Sequence, residues 1–529
     1  MRFDFKSIMF DKVSSFVREN FKIMIRINQV VTSVLFILTS FIVFGQEQNA
    51  IPMTFSEAYE QMHQNSFVLK QAGFEVREKE ADKKAAFGLR APRVFVTATA
   101  VQMADPLTLD LTPVRDAITP LYEALGKYGN FSGVPNPDPA TSGVMPTLPD
   151  NISTKAMRAK ILEGEATIKA AEWNQMIQEK QFASVNANFV WPLYTGGKIN
   201  AANKAAQIYE EEAGLHREQK EGELLSELAT RYYGLVLAEQ ACKVRGQVAE
   251  AMKKHLFDSQ KLSEQGQIAK VEYLHAQVAN SDAERELKKA NREATIVKRA
   301  LQNTMAVSDS SDLTPASQLF ILKNIEDESF FIELAMRKNP QLHQVDSKRE
   351  LAATGVKLEK SNYLPSVALT GTYDLADKDL SPYVPQWMVG VGLNWSLFEG
   401  NARRQKLQSA QFKEDQVEQA GLKAEEDIKT VIKKMHQQLG MQVEQLDELD
   451  KTLEFAKTYV ESRDKAFHEG LSTSTELVDA NLLLAKVKID RLQAMYNYDV
   501  TLATLLQICG SPDMFLQYQA SSQVIMESF

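Results

Sequence analysis

Two stretches of this 529-residue chain match one another at a constant separation, and that duplication limits the folds open to it. Trp191-Pro192-Leu193-Tyr194-Thr195-Gly196 corresponds to Trp395-Ser396-Leu397-Phe398-Glu399-Gly400, 204 positions later. The same offset carries Gln207 onto Gln411, Gly266 onto Gly470, Glu272 onto Glu476, Ala276 onto Ala480 and Leu301 onto Leu505. Farther upstream, Asn65 and Pro92 answer Asn339 and Pro365 at an offset near 273. The difference, about 70 residues, is an insertion in the first copy, between Asp105 and Gln181, where Pro106, Pro113, Pro120, Pro135, Pro137 and Pro139 crowd together.

Each copy reads as helix, strand, connection, strand, very long helix, tight turn and returning helix. The strands show period-two alternation. Val185, Ala187, Phe189, Trp191 and Leu193 are apolar, with Ser184, Asn186 and Asn188 between them. In the second copy Trp387, Val389, Val391, Leu393, Trp395 and Leu397 share one face, and Gly390, Gly392, Asn394 and Ser396 the other. Their partners are Val94 to Val101 and Ser366 to Tyr373, each opening after the proline that ends a helix. Strands of this kind suit an outer-membrane barrel. A soluble sheet packed on a core is the other reading. Four strands cannot close a barrel when eight is the usual minimum, so either the sheet packs on helices or several chains pool their strands. Trp191 and Trp395, at strand ends, favour the membrane reading because aromatic rings sit at bilayer interfaces.

The long helices run without proline from Gly197 to Gln265 and from Asn401 to Glu469, each ~100 Å if unbroken. They are rich in Ala, Glu, Lys and Gln with sparse apolar positions, the pattern of helices side by side in one watered layer. Shorter helices are expected over Ser56–Ala91, Ala269–Met305, Glu328–Leu364 and Thr473–Cys509. Stacked in pairs, they match the length of a long helix, as a tall wall requires. The insertion carries one expected helix, Ile152–Lys180.

Residues 1–45 read as an export signal: Lys22 and Arg26 precede the apolar run Val30 to Phe44, and Val43 and Gly45 supply the small residues before a cut at Gln46, with Met24 as an alternative start. Residues 46–306 then form the first repeat, including the 105–181 insertion; 307–327 form an equatorial linker, 328–510 the second repeat and 511–529 a tail. Beyond Phe44 no apolar run approaches the 18 residues of a membrane helix. With 60 basic against 69 acidic side chains, no basic face for nucleic acid is expected. Two cysteines and seven scattered histidines offer no disulfide or metal framework, and no cofactor motif is present. Gly196-Gly197-Lys198 fails as a phosphate loop because Pro192 stands where its first glycine belongs. No His-Glu-x-x-His or Gly-x-Ser-x-Gly pattern occurs, so the chain does not read as an enzyme.

The duplicated strand-exit motif (Trp191 to Gly197, Trp395 to Asn401) and the duplicated helix turn (Gln265-Gly266-Gln267, Glu469-Gly470-Leu471) resemble the TolC-like outer-membrane efflux family, over about Phe55 to Gly510. The resemblance implies a mixed α/β membrane protein: a homotrimer whose four strands per chain build a 12-stranded barrel in outer-membrane lipid, continued by an α-helical barrel through the periplasm. It implies a passive exit duct for a tripartite efflux or type I secretion system, opened by a periplasmic adaptor and an inner-membrane pump of RND, ABC or MFS type. It places Gly266, Gly470 and Leu471 at the periplasmic tip that meets the adaptor, and Glu476, Asp479 and Glu272 at the pore constriction. The insertion then lies outside the cell. Residue by residue, Gly266 and Gly470 are helix-ending glycines on any reading. Thr473 to Glu476 also reads as a capping box, which competes with pore lining for Glu476, while Asp479 also suits a helix start. The rival class is a periplasmic adaptor or scaffold, which would show one helical hairpin flanked by small β-domains rather than two hairpins alternating with amphipathic strands.

Overall fold

A computed structural model describes residues 51–307, 313–322, 324–521 and 524–526, so the signal segment and its cut lie outside the described residues. The chain begins with β1 (Ile51–Met53), α1 (Phe55–Asn65), α2 (Phe67–Gly88) and β2 (Arg93–Gln102). The insertion follows as β3 (Leu107–Asp110), α3 (Thr112–Tyr128), α4 (Asp150–Ala170) and β4 (Asn174–Gln178), and returns into β5 (Gln181–Tyr194). Next come α5 (Lys198–Glu264), α6 (Lys270–Thr304), β6 (Leu313–Pro315) and β7 (Phe320–Leu322). The second repeat is α7 (Glu328–Lys338), α8 (Pro340–Ser361), β8 (Ser366–Lys378), β9 (Trp387–Asn394), α9 (Ala402–His468) and α10 (Ser474–Ile508), closed by α11 (Met514–Gln519) and β10 (Val524–Met526).

The two long helices are each 67 residues and the two returning helices each 35, so the duplication holds in three dimensions. The strand-exit motif is a backbone device. Gly196 and Gly197 take φ of 64° and 97°, and Gly400 and Asn401 take 57° and 73°. Two left-handed residues in succession swing the chain from strand to helix, and glycine or asparagine tolerates that region. Gly196 is doubly required, because a Cβ there would press on the Ser361 carbonyl oxygen and on Leu364.

The expected single helices Ser56–Ala91 and Glu328–Leu364 are each two helices, of 11 and 22 residues, broken at Ser66 and Asn339. Both breaks are capped: the Ser66 hydroxyl accepts the Leu69 N–H and the Asn339 side chain accepts the Leu342 N–H. A side-chain acceptor at such a site offers a new helix start in place of continuation. Asn339 also donates to the Ile508 carbonyl at 2.6 Å, tying the break to the end of α10. The helix expected over Ile152–Lys180 stops at Ala170, where Trp173 folds back to donate to the Ile168 carbonyl and β4 begins. The strand expected to run to Leu397 is paired only to Asn394.

The helices form one layer. Toward the hairpin turns its order is α6, α5, α10, α9; toward the sheet it is α2, α5, α8, α9. Each long helix therefore runs beside stacked shorter ones. The deepest core lies at mid-height, where Phe55, Tyr232, Tyr233, Phe320 and Phe515 pack ring against ring at centroid separations of 5.2 to 5.9 Å. The linker and tail belong to this core. β1 pairs with β6 in parallel and β7 with β10 antiparallel, and the Tyr232 hydroxyl donates to the Met53 carbonyl while accepting the Ser317 N–H. Among the described residues no helix is long and apolar enough to cross a membrane.

Candidate functional site

The four-stranded antiparallel sheet, in the order β2-β5-β8-β9, has two chemically distinct faces. Its register sets Val94 opposite Phe189 and Val96 opposite Ala187. It continues the same face through Phe189 to Gly371, Trp191 to Leu369 and Ala187 to Tyr373, and on to Val389, Val391 and Trp387. This apolar face is largely uncovered, with Val94, Val96, Val389 and Val391 all 61 to 73% exposed. The opposite face carries Thr97, Asn188 and Thr372 in a cross-strand chain: Asn188 donates to Thr97 Oγ1 at 2.7 Å, and Thr372 donates to Asn188 Oδ1 at 3.1 Å. One face shuns water and the other hydrogen-bonds, the division a barrel wall needs between lipid and lumen.

Trp191 and Trp395 stand at corresponding ends of this sheet. Their indole N–H groups donate to the carbonyls of Arg90 and Tyr363, at 3.0 and 3.1 Å, just beyond the ends of α2 and α8. Each tryptophan satisfies a carbonyl where helix gives way to strand, a role the sequence did not disclose. At the other end the apolar face closes on the Tyr373–Trp387 pair. The eight residue steps from Trp387 to Trp395 cover ~26 Å, or roughly 20 Å of height at barrel tilt, within the apolar band of an outer membrane.

Beyond that aromatic end, the insertion is tied to the second repeat. Gln178 of β4 donates to the Asp379 carbonyl at 2.7 Å and accepts the Ser381 N–H at 2.8 Å.

At the opposite end of the wall the hairpins turn at Gly266 and Gly470, with φ of 72° and 73°. In each turn two N–H groups return to the preceding helix. Gly266 donates to Ser263 and Gln267 to Leu262; Gly470 donates to Phe467 and Leu471 to Ala466. This is the six-residue closure that a left-handed glycine permits. Leu471 is 76% exposed at the tip.

Glu272 and Glu476 lie in the first turns of the returning helices and Asp479 in the second turn of α10, and the three differ in what they touch. Glu476 completes a capping box with Thr473: it accepts the Thr473 N–H at 3.1 Å and the Ser472 hydroxyl at 2.6 Å, and pairs with Arg463 at 3.3 Å. The Ser472 hydroxyl first, then the Thr473 N–H and the Arg463 charge, hold its carboxyl below the usual range. In the first repeat Ala269 stands where the second has Thr473, and α6 has no side-chain cap. Glu272 is thus released from its own helix and accepts the Ser474 N–H of the other hairpin at 2.7 Å. Asp479 is exposed and joins no hydrogen bond or ion pair among the described residues. Sequence reasoning missed His255, buried between the hairpins with Nε2 2.6 Å from Ser474 Oγ and its ring edge-on to Phe467. Nothing in the spacing of the histidines marks it; only the packing of α5 on α10 does. The described residues hold no cluster of metal-ligating side chains, and Cys242 and Cys509 are both free.

A duplicated set of hairpins on a two-faced sheet defines the outer-membrane channel class, and the chain belongs to the outer membrane efflux protein family, whose sequence model matches residues 161–307 and 331–511. It is similar to the alkaline protease secretion protein AprF of Pseudomonas aeruginosa, 20% identical over 301 residues, which are 55% of this chain and 62% of that protein. The match therefore spans less than two thirds of the relative's length. Its fold is similar to that of the outer membrane protein VceC from Vibrio cholerae, with a TM-score of 0.63 and 14% identity over 86% of this chain and 96% of that one. The Campylobacter jejuni CmeC outer membrane channel gives a TM-score of 0.62 and 12% identity, over 91% and 94%. The chain is thus an outer-membrane channel protein with its helical wall in the periplasm, not an enzyme, and the adaptor reading is set aside.

Proposed function

We propose that three copies of this chain close into one duct that serves as the passive exit of a tripartite efflux or type I secretion system. The carrying observation is that sheet and wall end at the same two edges. β2 stands over α2 and α6 on one side, and β9 over α9 on the other. Among the described residues each edge strand is paired on one side only, an unstable condition for a sheet in a membrane. The helices below them expose Phe67, Phe74, Val271 and Val278 on one edge, and Phe412, Met441 and Phe455 on the other. A neighbour covering one edge of the sheet covers the wall as well. Three copies give twelve strands, with the apolar face on outer-membrane lipid and the Asn188 face on the lumen. In this arrangement Trp191 and Trp395 mark the periplasmic interface of the bilayer.

The turns at Gly266 and Gly470, with Leu471 exposed, meet a periplasmic adaptor that couples the duct to an inner-membrane pump of RND, ABC or MFS type. The likeness to a protease secretion protein makes secreted protein one candidate class of cargo. The constriction is set by Asp479, an exposed carboxylate that joins no hydrogen bond or ion pair among the described residues, repeated three times by symmetry. Glu476, three residues before Asp479 on the same helix, and Glu272, at the matching place of the first repeat, add further charge while serving as caps. The insertion 105–181 lies outside the cell.

Cross-linking in native membranes should give a trimer, and the purified trimer should form conducting pores in planar bilayers. A soluble monomer, or a trimer that never conducts, overturns the reading.

A further inference from the structure

The insertion contains a helix with two apolar faces, and only one of them is covered. On α3, Tyr122 and Gly126 face α4, where Gly126 lies against Leu162 and Ile161, and Tyr122 lies over Gly164. A second apolar set is exposed: Val114 at 49%, Leu121 at 58%, Leu125 at 39% and Tyr128 at 78%, with Ala117 and Ala124 also exposed. Positions 114, 117, 121, 124 and 128 alternate steps of three and four, the heptad seam by which helices pack against copies of themselves. A helix needing one contact shows one such stripe; this one shows two.

Its attachment says what covers the second. β3 and β4 continue the β2–β5 ladder, bridged by the Met103 N–H on the Lys180 carbonyl at 2.8 Å. β2 is a free edge of the sheet, so α3 rises from the margin where a neighbouring copy must sit. The charged residues of α3, Arg115, Asp116, Glu123 and Lys127, balance in sign, so copies brought together do not repel. Size agrees as well. Twelve strands about 4.8 Å apart, tilted by ~40°, enclose a ring roughly 24 Å across. Three helices, each about 10 Å thick, fill that width when packed together.

We infer that the Val114–Leu121–Tyr128 stripe joins three copies of this chain in a helical bundle above the outer mouth of the duct. The inference rests on the trimeric reading above. The bundle gives the trimer an interface outside the membrane, independent of barrel closure, and covers the outlet with a helical cap.

Single cysteines at Leu121 and Ala124, on the seam, are compared with one at Asp116, off it, and with the parent chain, whose own cysteines are the buried Cys509 and half-buried Cys242. Each is oxidised in intact membranes, and the native mass in detergent is measured alongside. The expected result is covalent dimers for Leu121→Cys and Ala124→Cys, none for Asp116→Cys or the parent, and a trimer throughout. A trimer in which neither seam cysteine links overturns the bundle and leaves the duct standing. If those cysteines also resist a water-soluble maleimide, lipid or another molecule covers the stripe instead. Equal linking at all three positions means random collision and overturns it too. A monomer in detergent overturns the duct and the bundle together.

Discussion

Glu272 accepts the backbone N–H of Ser474, 202 residues away in sequence, at 2.7 Å, so a side chain of the first hairpin caps the returning helix of the second. The Ser474 hydroxyl meets His255 of the same first hairpin. These contacts fasten the two hairpins near the tip. Glu272→Ala should loosen the fastening without unfolding either hairpin. Amide exchange at Ser474 to Leu477 should accelerate, and pores in planar bilayers should spend more time at high conductance. Glu476→Ala, which removes a cap within one helix, should accelerate exchange there with a smaller change in conductance.

The same fastening should respond to pH. Burial pushes the His255 imidazole below its ordinary value, against Asp258 and Asp464, which favour its charge, and with His275 and His468, which oppose it. A histidine held neutral in the fold contributes its full stability above the unfolded value, about 6.5, and loses it as pH falls, because the unfolded state then binds the proton. Exchange at the tip should therefore quicken below about pH 6.5, and His255→Gln should flatten that dependence. A tip equally protected from pH 8 to 5 would contradict it.

Asp479→Asn should weaken cation selectivity and the block by trivalent cations while leaving a stable trimer. Three unpaired carboxylates in a narrow passage reinforce one another's potential, and amides do not. Reversal potentials in a salt gradient provide the measurement.

Gly510 and Ala306 hold corresponding positions at the ends of α10 and α6, both with left-handed backbone, φ 69° and 52°. For alanine that region costs about 1–2 kcal/mol. Ala306→Gly should therefore raise the unfolding temperature, the gain offset in part by the added freedom of the unfolded chain. Gly510→Ala should lower it by more, because a Cβ at Gly510 would overlap the Lys338 carbonyl where α7 meets α8.

Asp499 is fully buried in α10; its Oδ2 accepts the Phe320 N–H at 3.3 Å and its Oδ1 has no partner. Burial raises its carboxyl well above the ordinary value, against the Phe320 hydrogen bond. An acid held protonated in the fold loses stability as pH rises above the unfolded value, near 3.9, since only the unfolded state then releases the proton. Asp499→Asn keeps an acceptor for Phe320 and should remove that decline, so its unfolding temperature should exceed the parent's increasingly toward neutral pH.

Much of the architecture was legible residue by residue. The proline-free runs gave the long helices to within a residue at each end, since nothing inside them offers an alternative to the helical hydrogen bond. The breaks at Ser66 and Asn339 were not foreseen, because a serine or asparagine inside a helical pattern becomes a cap only where tertiary contacts favour the new start. Helix α3 was missed for the opposite reason: Pro113 suits a first turn and Pro120 penalises a middle, yet packing on α4 outweighs the lost bond. Of the acidic candidates, Glu476 was readable as a cap from Thr473 three residues before it. Glu272, with Ala269 in that place, showed no partner at all in the sequence.

The sequence by itself determined what short-range physics governs: the alternation that makes two-faced strands, the glycines that reverse the hairpins, the duplication and its order of elements. Only the tertiary structure decided which carboxylate serves which helix, that His255 and Asp499 are sealed from water, and that sheet and wall end at common edges. Helical periodicity and turn geometry act over a few residues and are written in them. Desolvation and the choice of a partner 202 positions away depend on how α5, α6 and α10 come together, and no local pattern encodes that meeting.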